Sequence, residues 1–177
     1  MSLIWPEATI FAFEAIPHIF KKLKSRTRSY KNIICIEKAL SDKVGFEHMY
    51  ISQGGDQSSS LLEPAQHLQY FPHITFHQKT KVETTTLDKW AEEMGIDHVD
   101  FLWFDLQGME PAVKASPKIF STVKVVYTEV NYTELYKNIP LYNELRAWME
   151  DQGFVVMKEV VHHSTFGDVL FVRKELV

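Results

Sequence analysis

The stretch Phe101 to Glu110, F-L-W-F-D-L-Q-G-M-E, constrains the fold of this chain more than any other. Apolar residues lead without a break into Asp105, and Gly108 and Glu110 follow at once. A continuous apolar run reads as a strand buried on both faces, as in a parallel sheet. Asp105 falls where that strand should end, and in open α/β sheets ligands bind just beyond the carboxyl ends of strands. Gly108 lets the backbone turn. Glu110 then stands near the start of the next helix, where a carboxylate suits the positive end of the helix dipole. The alternative is that Asp105 only caps the turn.

A second segment has the same form. Thr9 to Glu14, T-I-F-A-F-E, is an apolar strand ending in an acid. A carboxylate in that place is suited to accept hydrogen bonds from the two hydroxyls of a ribose. The pair of strand ends points to a nucleoside-containing cofactor lying across them.

The rest of the chain alternates strands and helices. Strands are predicted over Ile10–Phe13, Asn32–Ile36, Phe46–Ile51, Thr75–Thr85, Val99–Phe104 and Val123–Val130, with Phe154–Met157 and Asp168–Val172 as a closing antiparallel pair. Apolar residues at helical spacing predict helices over Ile16–Lys24 and Leu141–Met149, the latter with Leu141, Leu145 and Trp148 on one face. Thr86 reads as the N-cap of a helix carrying Leu87, Trp90, Ala91 and Met94, which Gly95 terminates. A helix begins at Pro111 and is interrupted at Ser116-Pro117. Between Ser52 and Phe71 lies a long irregular stretch with Gly54-Gly55 and Ser58-Ser59-Ser60, of a kind that is usually functional or mobile. No internal repeat or linker divides residues 1–177, so a single domain is expected.

Composition excludes several functions. The formal net charge is −4, which gives no electrostatic reason to expect nucleic acid. The basic stretch Lys21 to Arg28 reads as a solvated helix face. No apolar run approaches the roughly 20 residues of a membrane span, and no signal peptide opens the chain. The single cysteine, Cys35, reads as a buried small hydrophobe and agrees with a reducing, cytoplasmic setting.

Motifs spread along most of the chain resemble those of the FkbM-type S-adenosylmethionine-dependent methyltransferases. Ala12-Phe13-Glu14, with Pro17 and Phe20, resembles that family's strand-2 ending. Ala39-Leu40-Ser41-Asp42, followed by Gly45, resembles its A-L-S-D-x-x-G segment. The serine run with Leu61-Leu62, and Val82 to Asp88, also find counterparts. Asp105-Leu106-Gln107-Gly108-Met109-Glu110 matches the D-x-[EQ]-G-x-E signature, the most specific of the set. Glu129, Tyr136, Gly153-Phe154, Asp168 and Phe171 follow in the family's order.

The resemblance implies an α/β fold, a Rossmann-like methyltransferase three-layer sandwich with a mixed sheet. It implies S-adenosylmethionine as cofactor, with Glu14 on the ribose and Leu40 and Asp42 beside the adenine. Asp105 would stand at the mouth where methyl donor and acceptor meet, with Glu110 and Glu129 as further catalytic candidates. The acceptor would be a small molecule or a sugar, methylated on oxygen.

One departure stands out. The family opens with a strand and a glycine-rich turn, D-x-G-A-x-x-G, whereas here Met1 to Pro6 lead almost directly into the Glu14 strand, and none of the seven glycines stands in a G-x-G pattern. The expectation is therefore a sandwich lacking its first βα unit. Such a domain would bind cofactor more weakly than one with the turn and would tend to self-associate through its incomplete sheet. A competing reading is a non-catalytic, truncated fragment acting as an interaction module. A nucleotide-binding oxidoreductase is disfavoured by the same glycine inventory.

The eight histidines raise a metal hypothesis, since His73 and His77 would share one face of a strand, but spacing places no third ligand. His162 or His163 is an alternative general base, weighed against a solvated loop histidine.

Overall fold

The computed structural model describes residues 3–177, so Met1 and Ser2 lie outside it. Its first strand, β1 (Ile10–Phe13), pairs in parallel with β2 (Ile33–Ile36) across helix α1 (Pro17–Thr27). The basic residues of α1 are exposed while Phe20 is buried, so the charged stretch is a solvated helix face. Cys35 is half-buried rather than fully buried, with its sulfur 3.3 Å from the Thr27 hydroxyl.

A second sheet joins the short β3 (Ala39–Leu40) in parallel to β5 (Thr75–Thr85), which pairs antiparallel with β4 (Gly45–Gln53). The long segment between β4 and β5 contains helix α2 (His67–Tyr70). Bridges from Tyr50 to Ser60 and from Pro64 to Tyr136 pin it to the body of the protein. His73 lies in the turn before β5 and His77 within the strand, so the two do not share one strand.

The capping signals act as their chemistry dictates. The Thr86 hydroxyl accepts the Lys89 N–H at 3.1 Å and opens α3 (Leu87–Met94), and Gly95 closes it in the left-handed conformation. The segment after Glu110 is a 3₁₀ turn, Glu110–Ala115, rather than the start of a regular helix. Ser116, which precedes a proline, is held out of the helical region, and α4 (Pro117–Phe120) begins anew. Asp88 caps α4 from a distance, its carboxylate accepting the Lys118 and Ile119 N–H groups at 3.1 and 2.8 Å.

The third sheet runs β6-β7-β9-β8. Strand β6 (Phe101–Phe104) is parallel to β7 (Val125–Asn131), and β9 (Phe166–Arg173) is antiparallel to both β7 and β8 (Phe154–His163). Helix α5 (Tyr142–Asp151) enters between β7 and β8. It buries Tyr142, Leu145 and Met149, so the inward face lies one residue on from the expected Leu141 and Trp148. The closing hairpin is longer than expected and carries His162 and His163 on a strand, not in a loop.

The main core lies on one side of this sheet. Leu102, Phe104, Val126, Val130, Val169 and Phe171 meet side chains of α3, α4 and α5 there. Burying such side chains contributes roughly 1.5–3 kcal/mol each. Trp103 faces the other way and is 58% exposed, so β6 is not buried on both faces as its composition implied. Between the sheets, Trp90 of α3 meets the rings of Phe11 and Phe13 edge-on at 4.8 and 5.3 Å, which ties β1 to the main core.

Candidate active site

The carboxyl ends of β1 and β6 open onto a cleft of about 420 Å³. Glu14 and Ala15 line one wall, Lys38 to Leu40 another, and Asp105 to Gln107 with Met109 a third; the serine loop closes it with Ser59 and Leu61. That volume falls in the range of small-molecule sites. The structure thus brings Glu14, Leu40 and Asp105 to one cleft. Asp42 is exposed outside this lining, where the Ser41 hydroxyl donates to it at 3.3 Å. Glu110 and Glu129 stand outside the lining as well.

Glu14 sits at the junction of strand and helix, and its Oε1 accepts the Ile16 N–H at 2.7 Å. Its carboxylate therefore helps open α1 while standing in the cleft wall.

The turn after β6 is held from several directions. Gln107 adopts φ 51°, uncommon for a residue with a side chain, and Gly108 follows at φ 96°. A Cβ on Gly108 would come within 2.8 Å of Ile139 Cγ2, so the turn needs glycine for space as well as for φ. The Ser60 hydroxyl donates to the Gln107 carbonyl at 2.7 Å. The Tyr136 hydroxyl, fully buried, stands 2.9 Å from the Ser58 carbonyl and 3.0 Å from Gln107 Oε1. So anchored, the Gln107 amide donates to Asp105 Oδ1 at 2.6 Å and reaches Glu129 Oε2 at 3.5 Å.

These contacts gather an acidic group with an uneven proton affinity. Glu110 is buried, and its Oε1 accepts the Leu106 N–H at 2.8 Å, closing the turn from behind. Desolvation pushes its pKa up to about 7, against the opposing pull of backbone N–H groups. Glu129 rises to about 9, first through desolvation and then through the neighbouring charges of Glu110, Asp105 and Asp168. Asp105 is raised as well, again mainly by desolvation, although it opens onto the cleft and the Gln107 amide favours its charged form. Among the described residues, no lysine or arginine forms an ion pair with any of the four.

Strand register explains why three of them meet. Phe104 pairs with Thr128, and Glu129 pairs with Asp168, so Asp105, Glu129 and Asp168 fall in one row across β6, β7 and β9. The Tyr127 hydroxyl, two residues before Glu129 on the same face, donates to Asp168 Oδ2 at 2.7 Å. That bond raises the Tyr127 pKa to about 12. His162 Nε2 reaches the same oxygen at 2.7 Å.

Sequence reasoning missed the clamp of Gln107 by Tyr136 and Ser60 and the Tyr127–Asp168 bond. Gln107 lay inside the strongest motif, and Tyr127 stood two positions before an acid on a strand. Their partners are fixed only by tertiary contact.

In comparison with known proteins, residues 3–156 match the Methyltransferase FkbM domain family. The chain is 31% identical over 144 residues to the 2-O-methyltransferase NoeI of Sinorhizobium fredii (strain NBRC 101917 / NGR234), an alignment covering 77% of this chain and 59% of that protein. The chain therefore spans well under two thirds of that relative's length. No solved structure matches. No helix among the described residues is long and apolar enough to cross a membrane.

Proposed function

The chain belongs to the FkbM methyltransferase family, and from that premise we propose that it transfers a methyl group from S-adenosylmethionine to a hydroxyl oxygen of a small molecule or sugar. The observation that carries the reading is the cleft shared by Glu14 and Asp105, which follow the carboxyl ends of two different strands and line one space. The relative's description as a 2-O-methyltransferase supports oxygen as the methylated atom. In this reading the three sheets are parts of one Rossmann-like sandwich, and the cleft runs along its strand tips.

The residues present fit the cofactor. Glu14 would hold the ribose hydroxyls, and Leu40 would bound the adenine beside the exposed Asp42. Among the described residues no lysine or arginine pairs with this acidic group, which suits a ligand that arrives as a cation, and the sulfonium of S-adenosylmethionine carries that charge. When bound, it supplies an activated methyl group. The chain's own contribution is to align the acceptor oxygen and to accept its proton. Alignment of two reactants can account for a large share of a rate enhancement.

Asp105, at the cleft mouth, is placed to orient an acceptor hydroxyl. Gln107 fixes its rotamer, and Glu129, neutral at pH 7 with a pKa of about 9, spares the site a second repelling charge. Glu110 holds the turn in place behind it.

The test is methyl transfer from radiolabelled S-adenosylmethionine to a panel of methyl glycosides, paired with calorimetric titration of S-adenosylhomocysteine. Saturable one-to-one binding with label in the glycoside fraction supports the reading. Label found only on the nitrogen of amino glycosides included in the panel, or no binding at all, overturns it.

A further inference from the structure

We propose that Gln57 is an acceptor-binding residue, its side-chain amide taking a second hydroxyl of the sugar whose reacting hydroxyl stands at Asp105. The inference rests on the reading of O-methyl transfer and deepens it: the preferred acceptor carries several hydroxyls rather than one.

The serine loop between β4 and β5 is fixed on both sides of Gln57. The Ser52 hydroxyl donates to the Gly55 carbonyl, and the Ser52 N–H donates to Ser59 Oγ at 3.0 Å. Tyr50 and Ser60 exchange backbone hydrogen bonds at 2.7 and 3.1 Å. Ser60 is buried, and its Oγ accepts the Leu62 N–H at 3.0 Å. These hydroxyls serve the loop's own backbone, as serine side chains in turns commonly do. Between the anchors the chain makes a 3₁₀ turn, Asp56–Ser58, which leaves the Gln57 side chain exposed in the cleft wall. Loops held by a rigid frame are where binding side chains are usually carried.

The same frame ties Gln57 to Asp105. The carbonyl of its neighbour Ser58 stands 2.9 Å from the Tyr136 hydroxyl, and that hydroxyl stands 3.0 Å from Gln107 Oε1. The Gln107 amide in turn donates to Asp105 Oδ1 at 2.6 Å. Ser60 Oγ donates to the Gln107 carbonyl at 2.7 Å, so loop and turn are joined twice. A run of short contacts thus connects the residue beside Gln57 to the carboxylate, and both side chains line one cleft.

The other polar side chains of that lining are committed. Glu14 accepts the Ile16 N–H, and Lys38 pairs with Glu83 at 2.9 Å and Glu93 at 3.4 Å. Ser59 is held by Ser52, and Gln107 by Asp105 and Tyr136. Gln57 has no hydrogen-bond partner among the described residues. The chemistry of the two groups is complementary. An ionised Asp105 only accepts, so it takes the hydrogen of one hydroxyl. A primary amide both donates and accepts, so Gln57 satisfies a second hydroxyl whichever way its hydrogen points. Two such polar groups in one cleft fix a ligand's orientation as well as its position. A simple alcohol leaves the amide unused, whereas a sugar engages both.

The test pairs Gln57→Ala with a set of monodeoxy glycosides, each lacking one hydroxyl of a methyl glycoside that the wild type methylates. NMR of the product identifies the methylated position, and the remaining positions are scanned. In the wild type, removal of one non-reacting hydroxyl should lower kcat/KM by about 3- to 10-fold, the equivalent of one neutral hydrogen bond. Gln57→Ala should lose a similar factor toward the parent glycoside and lose nothing further with that deoxy compound. Coupling of this kind reports contact between residue and hydroxyl, which a merely structural role does not produce. S-adenosylhomocysteine affinity should hold within a few-fold, and the melting temperature should not move, as is usual at exposed positions. A variant that discriminates among the deoxy compounds as the wild type does overturns the inference while leaving O-methyl transfer standing. So does a variant whose S-adenosylhomocysteine affinity falls in proportion to its rate, which assigns Gln57 to the cofactor. A wild type that labels no hydroxyl acceptor overturns that reading and this inference with it.

Discussion

Glu129 is the residue whose surroundings disagree most with its ordinary chemistry. Its pKa of about 9 means that the folded protein holds a proton that the unfolded chain releases near pH 4.5. Between those values the folded state binds more protons, so stability must fall as pH rises. The slope approaches about 1.4 kcal/mol per pH unit for one proton. Glu110 adds to the fall between pH 4.5 and about 7. Glu129→Gln should flatten the slope above pH 7 and raise the melting temperature at pH 8, as thermal unfolding at a series of pH values will show. An unchanged slope would mean that the carboxylate escapes desolvation. The sign should also couple to ligand charge. S-adenosylmethionine brings a cation and should expel a proton from the acidic row, whereas the neutral S-adenosylhomocysteine should expel less; calorimetry in buffers of different ionisation enthalpy measures the difference. Glu14 makes a separate case. Glu14→Ala should weaken cofactor binding by about 1.5–3 kcal/mol through the lost charged acceptor. It should also lower stability by about 1 kcal/mol because the Ile16 N–H loses its partner.

At the scale of elements, the turn between β6 and the Glu110 segment is where local sequence and tertiary contact meet. Asp105 at a strand end was legible because an apolar run stopping at an acid, then a glycine, admits few other readings. Gly108 was legible as a turn, but not the Ile139 contact that bars a Cβ there. The clamp on Gln107 was not legible, since its partners Tyr136 and Ser60 lie 29 and 47 positions away in sequence. No local pattern encodes such a bond. The caps of α3 were legible for the opposite reason: Thr86 and Gly95 act within one helical turn of themselves. The long distal cap that Asp88 provides to α4 was not. Tyr136→Phe should cost about 0.5–1.5 kcal/mol of stability. In the proposed reaction it should also lower kcat more than it raises KM, because Gln107 would no longer hold Asp105 in one rotamer. Equal loss in kcat and folded fraction would reduce Tyr136 to a packing residue.

For the whole molecule, the burial of the third sheet is uneven: the face opposite the helices is covered near Glu129 and open at Trp103. Its β6 composition implied two covered faces, yet α3, α4 and α5 pack on one, and Trp103 on the other is 58% exposed. Composition reports that a strand is apolar, not which of its faces finds a partner. Exposed apolar side chains of this size favour association. The protein should therefore self-associate in a concentration-dependent way, and Trp103→Lys should weaken the association. That change should leave monomer stability within about 0.5 kcal/mol, as is usual at exposed positions. Sedimentation velocity over a range of concentrations distinguishes these outcomes, and a monomer at every concentration would show that the exposed face is well solvated.

The central claim is that Glu14 and Asp105 border one cofactor cleft and divide its work. The most direct measurement takes Asp105→Asn and Glu14→Ala through the same pair of assays: S-adenosylhomocysteine affinity by calorimetry and methyl transfer to glycosides at saturating cofactor. The account predicts opposite signatures. Glu14→Ala should lose about 10- to 100-fold in affinity, the fold-change equivalent of its lost hydrogen bonds, with turnover at saturation largely kept. Asp105→Asn should keep affinity within a few-fold and lose turnover. If both variants shift affinity and turnover in the same proportion, or neither shifts either, the cleft between β1 and β6 is not the site.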